Sequence, residues 1–97
     1  MDLQELRQRI DGIDDELVRL FEQRMDVSIE IAQYKKLHDI PIYDPMREKQ
    51  KLYALSQKVD EGHKEHIAEL YSLLFEISRA EQEKILAHSA CCSSEVE

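Results

Sequence analysis

The chain has 97 residues, which bounds it at one domain. Hydrophobic residues make up 42% and charged residues 35%, with two Gly, two Pro, two Cys and no Trp. That composition excludes a disulfide scaffold, a collagenous chain and a β-sandwich, and it favours long helices. Thirteen basic against 21 acidic side chains leave a net charge of −8, which argues against nucleic acid as a partner. No apolar run approaches the ~20 residues that span a bilayer, and no signal peptide opens the chain. The expectation is a soluble, cytoplasmic protein without membrane contact. The charge is uneven: residues 1–30 carry four basic and nine acidic groups, 31–58 six and three, 59–97 three and nine. A basic middle in an acidic chain suits a small anionic ligand.

The first predicted element is a helix over residues 3–37, which contain no proline. Its apolar positions are Leu3, Leu6, Ile10, Ile13, Leu17, Leu20, then Val27, Ile31 and Tyr34. Steps of three and four make a heptad seam. Such a helix is roughly 50 Å long at 1.5 Å per residue. A compact globule of this size has a radius of gyration of only about 12–13 Å. The helix outruns its own domain, so the expected cover for its stripe is a second copy of the chain, a homodimer.

Residues 38–44 read as a loop around Pro41. Asp44–Pro45 forms a helix start, with Asp as N-cap and Pro at the first helical position. The second helix is expected from Pro45 to about Val59, with Leu52, Leu55 and Val59 as its stripe and Gly62 as its C-terminal cap. A third helix is expected from about Lys64 to His88, on Ile67, Tyr71, Leu74 and Ile85, broadened by Leu70, Leu73 and Ile77. Residues 89–97 are expected to form a disordered tail holding the adjacent Cys91 and Cys92 as free thiols. The expected fold is all-α: long, medium and long helices in a homodimeric bundle.

Function becomes legible where polar residues interrupt the stripes. Arg24 stands where the first helix calls for an apolar residue, and Ser28, Ile31 and Lys35 continue that face. Glu48 lies four residues before Leu52. Ser78 and Gln82 fill the steps between Leu74 and Ile85. Polar groups turned inward must find partners, in protein or in ligand, because burying them unpaired costs several kcal/mol. Each has an ordinary explanation. Arg24 could set register or snorkel to solvent, Glu48 could pair with Arg24, Ser78 could bond its own backbone, and Gln82 could be solvated. Lys35, Lys36, Arg7, Arg9 and Arg19 fit surface positions, and His38, His63, His66 and His88 lack metal-ligand spacing. Together, however, three helices each bring a polar group inward. The expected result is a pocket lined by Arg, Lys, Glu, Ser and Gln that holds a small hydroxylated anion. No Cys/His or Ser/His pairing supplies a nucleophile and no Gly-rich loop cradles phosphate. Chemistry there would rest on positioning and electrostatics.

These residues resemble a known family, the all-helical (AroQ-type) chorismate mutases of the bacterial dimeric kind. The matching segments are Leu6–Arg7, Ile10–Asp11 with Ile13–Asp14, Arg24–Met25, Lys35, Pro41–Ile42 with Asp44 and Arg47–Glu48, and Ser78 with Gln82. They cover about residues 3–88. The resemblance implies rearrangement of chorismate to prephenate in phenylalanine and tyrosine biosynthesis, with no cofactor and no metal, in an intertwined homodimer whose active sites are shared. It implies that Arg7 reaches in from the neighbouring chain, and that Arg7 and Arg24, helped by Ser78, hold two carboxylates. Arg47 would add positive potential. Glu48, with Asp44 beside it, would accept from the ring hydroxyl. Lys35 and Gln82 would donate to the ether oxygen. Two alternatives stay open: an enzyme like isochorismate pyruvate lyase, and a non-catalytic dimeric helical module. Retention of Asp44, Arg47 and Glu48 favours the mutase over the lyase, and inward polar residues on three helices disfavour the module.

Overall fold

Three helices and one short turn follow each other in a computed structural model that describes residues 2–95, with side chains through Ala87. Helix α1 is Leu3–Leu37, α2 is Pro45–Ser56, a 3-10 turn occupies Glu61–His63, and α3 is Lys64–Glu95. No strand occurs among the described residues, and no helix of theirs is long and apolar enough to cross a membrane.

Helix α1 begins where the Asp2 carboxylate accepts from the Glu5 backbone N–H at 2.8 Å, meeting one of the donors a helix start leaves unpaired. It ends in a Schellman turn. Ile40 N–H donates to the Lys35 carbonyl at 2.8 Å, and Asp39 N–H to the Lys36 carbonyl at 3.4 Å. Asp39 has φ 55°, the left-handed conformation that glycine usually supplies there and that Asp tolerates. The turn throws the chain back so that Ile42 is buried and the Lys35 ammonium donates to the Ile42 carbonyl at 2.9 Å.

The second helix opens as its sequence dictates. The Asp44 carboxylate accepts from Arg47 N–H at 3.0 Å, with Pro45 at the first position. It closes earlier than Val59. Lys58 N–H donates to the Leu55 carbonyl at 3.0 Å, a tightened last turn, and the Ser56 hydroxyl takes up the Tyr53 carbonyl at 2.7 Å. Gly62 does not cap α2. It lies inside the 3-10 turn with negative φ, since the tightened turn after Ser56 leaves no helix for it to end. Helix α3 runs past the expected end near His88 to Glu95, because Ser89–Glu95 contains neither Pro nor Gly to stop it. The loose tail and thiols expected at 89–97 otherwise fall on side chains, and on Val96 and Glu97, outside the described residues.

Helix α3 packs against both α1 and α2. The buried apolar side chains among the described residues are only Ala32, Ile42 and Phe75. The heptad stripe is not part of this interior: Leu3, Leu6, Ile10, Ile13, Leu17 and Leu20 are all exposed. Indeed every residue from Asp2 to Gln23 is exposed. The radius of gyration is 17.7 Å and the extents are 64 × 30 × 15 Å, well beyond the about 12–13 Å of a compact domain this size.

Candidate functional site

The faces of the three helices meet in one hollow of about 460 Å³. From α1 come Arg24, Ser28, Ile31 and Lys35, spaced four, three and four so that they share one face. The loop and α2 bring Ile42, Asp44, Arg47, Glu48 and Lys51. Helix α3 brings Phe75, Ser78, Arg79 and Gln82. The cap at Asp44 fixes the start of α2 and thereby aims Arg47 and Glu48, one turn in, at the other two helices. Among the described lining residues, five cations (Arg24, Lys35, Arg47, Lys51, Arg79) face two carboxylates (Asp44, Glu48). The excess of three positive charges suits a small polyvalent anion.

Hydrogen bonds hold these groups in register. Arg24 Nη1 donates to Ser78 Oγ at 2.8 Å, and its guanidinium lies 5.7 Å from the Tyr71 ring centroid and 5.8 Å from that of Phe75. Gln82 Nε2 donates to the Ser28 carbonyl at 2.9 Å. Ser28, Ser78 and Gln82 are only 6%, 9% and 7% exposed. Three near-fully buried polar side chains beside only three buried apolar ones among the described residues mark a pocket shaped for a polar occupant. The Ser28 hydroxyl is buried without a hydrogen-bond partner among the described residues, so its donor and acceptor capacity is available to a bound polar molecule. Lys35 uses one of its three N–H donors on Ile42 and Gln82 one of its two amide N–H donors on Ser28, so each retains donors for a ligand.

Seven of the eight residues singled out from the sequence converge here: Arg24, Lys35, Asp44, Arg47, Glu48, Ser78 and Gln82. Arg7 does not line the hollow. It sits in the exposed half of α1, 17 residues before Arg24, which is about 25 Å at 1.5 Å per residue. Glu48 pairs not with Arg24 but with Arg79 Nη1, across the α2–α3 seam. Arg24 points to Ser78 instead, and Arg79 lies one residue further round α3, facing α2. This bond to Glu48 raises the Arg79 pKa above its ordinary value, with partial burial opposing, so the guanidinium stays charged. Arg79 also lies over the Tyr43 ring, 4.7 Å from its centroid.

Arg79, Lys51 and Phe75 were not anticipated. Phe75, Ser78, Arg79 and Gln82 form an i, i+3, i+4, i+7 set, so a helical wheel centred on Ser78 finds them. A stripe drawn only through aliphatic residues passes beside it. His38, His63 and His66 are exposed, as expected, and His38 stacks on Tyr34 at 4.2 Å; His88 lies outside the described side chains.

An all-helical domain with a cationic hollow of this size has the build of a protein that takes a small anionic molecule. The sequence profile of chorismate mutase type II matches residues 6–83. A crystal structure of chorismate mutase from Helicobacter pylori in complex with prephenate superposes with a TM-score of 0.78 at 39% identity, covering 88% of this chain and 93% of that one. Chorismate mutase of Methanocaldococcus jannaschii is 33% identical over 87 residues, 87% of each chain. The T-protein of Haemophilus influenzae is 41% identical over 46 residues, 47% of this chain, which spans only 12% of that protein. The chain belongs to the chorismate mutase type II family.

Proposed function

We propose that this chain rearranges chorismate to prephenate, its residues 1–88 forming the catalytic domain. The observation that carries the reading is the convergence of Arg24, Lys35, Arg47, Glu48, Ser78 and Gln82 on one hollow of ordinary small-ligand size. The reaction is unimolecular: the ether C–O bond breaks as a C–C bond forms, with no covalent intermediate. The chain therefore needs no nucleophile. It needs to hold the folded conformer, a proximity effect, and to stabilise the charge that grows on the ether oxygen.

Arg24 suits a carboxylate, since its planar fork binds two oxygens at once and Ser78 already fixes its direction. Arg47 adds positive potential at the mouth of α2. Glu48, with Asp44 beside it, accepts from the ring hydroxyl. Lys35 and Gln82 donate to the ether oxygen, contacts that strengthen as the bond stretches and so raise kcat rather than binding alone. The second substrate carboxylate is met by Arg7 of a second copy. The support for a homodimer is the heptad stripe of α1, whose Leu3, Leu6, Ile10, Ile13 and Leu17 all stay exposed in the single chain.

The test is the decay of chorismate absorbance with purified protein. The expected result is decay with stoichiometric prephenate. Pyruvate release from isochorismate without chorismate decay would assign the lyase reaction instead, and inertness toward both would leave a binding module.

A further inference from the structure

We propose that Arg79 is a positioning residue that tunes the hollow for a neutral hydroxyl, and against a cationic group, at the ring position that Glu48 meets. The proposal rests on the reading above, in which Glu48 accepts a hydrogen bond from the substrate ring. Three observations lead to it. Arg79 on α3 and Glu48 on α2 form a direct ion pair although 31 residues apart in sequence. Both side chains are more than two-thirds covered, at 29% and 24% exposure. The guanidinium is also held from a third side, 4.7 Å over the ring of Tyr43 in the loop before α2. An arginine fixed by two helices and a loop is not a free surface arm.

The electrostatic consequence follows from where the charges stand. A lone Glu48 carboxylate would repel a substrate that is itself doubly negative. Paired with Arg79, its charge is matched. One oxygen, Oε2, is committed to the guanidinium, and Oε1 remains to accept from a neutral O–H. A protonated amine in place of that hydroxyl finds the carboxylate already compensated and a fixed cation beside it. Two like charges a few ångströms apart in a partly covered site oppose binding by enough to change affinity about tenfold or more.

The experiment measures kcat and KM for chorismate and for the analogue carrying an amino group in place of the ring hydroxyl, with wild type, Arg79→Gln and Arg79→Lys. The expected wild-type protein prefers chorismate. Arg79→Gln raises KM for chorismate and shifts the ratio of the two kcat/KM values about tenfold toward the amine. Arg79→Lys keeps the charge and returns the ratio toward wild type, which a purely structural role would not require. An unchanged ratio in a folded Arg79→Gln protein overturns the proposal. A second arm needs no variant: the amine should inhibit wild-type chorismate turnover more strongly as pH rises through the amine's own pKa and it loses its charge. Inhibition that is flat or weaker on deprotonation also overturns it. Lack of chorismate turnover by the wild type would defeat the mutase reading instead, a distinct outcome.

Discussion

The two halves of α1 share one helix and one heptad rhythm, and they do opposite things. From Asp2 to Gln23 every residue is exposed, its leucines and isoleucines included. From Arg24 to Lys35 the same rhythm carries Arg24, Ser28, Ile31 and Lys35 into the hollow, with Ser28 and Ala32 buried. Periodicity alone does not distinguish them. What does is the residue type on the inward face: aliphatic before position 24, polar and cationic after it. An apolar face that the chain leaves bare is a surface for association, whereas a polar face that the chain buries is a surface for a ligand.

The largest expected effect tests the buried half. Lys35→Ala should lower kcat by about 10²–10³, the scale of removing one donor from a developing oxyanion. Its melting temperature should move only a few degrees, because a single bond to the Ile42 carbonyl is lost. Near-normal turnover would remove Lys35 from the chemistry. The exposed half is tested by Arg7. Arg7→Ala and Arg24→Ala should each lose about 10²-fold in kcat/KM. If Arg7 serves the partner's site, unfolding and refolding the two variants together should restore part of the activity, since a mixed dimer regains one complete site. No recovery on mixing would place both arginines in the same chain's site and dissolve the contrast between the halves.

A smaller effect sharpens the role of the α3 residue facing Ser28. Gln82→Glu should retain activity only at acid pH. The carboxylic acid can donate to an ether oxygen and the carboxylate cannot, so the rate should fall as pH rises through the introduced group's pKa; a flat profile would count against that contact. The smallest effect concerns the turn that ends α1. Asp39→Gly should stabilise the fold by up to about 1 kcal/mol or leave it unchanged, because relief of the left-handed strain competes with glycine's greater freedom when unfolded. A chemical denaturation midpoint reads it, and a loss beyond 1 kcal/mol would mean the Asp39 side chain itself holds the turn.

Much of this architecture was legible without coordinates. The bounds of α1 and the start of α2 follow from strong local signals: an uninterrupted heptad, and an Asp–Pro cap whose hydrogen bond forms as expected. The ends of α2 and α3 were not legible, because a tightened turn at Ser56 and the absence of a breaker after His88 depend on weak differences among residues. Arg24, Lys35, Glu48, Ser78 and Gln82 could be found because each is a polar residue out of place in an apolar stripe. Arg79 and Phe75 were hidden for the opposite reason. An arginine on an acidic helix and a phenylalanine among leucines violate no pattern. Only the direction in which α3 turns toward α2 and the loop shows that they face the hollow. The partner of Glu48 was a question of which helix faces it, which spacing along a single helix does not encode.

The scarcity of interior apolar side chains carries a consequence for how the protein holds together. Among the described residues only Ala32, Ile42 and Phe75 are buried apolar side chains, and Leu52, Leu55, Ile67, Leu74 and Ile85 are only partly buried, so a single chain offsets little of the entropy of its own ordering. If a second copy covers the exposed half of α1, as proposed above, its docking also contributes to folding. The melting temperature should then climb with protein concentration rather than stand as a fixed property of the polypeptide.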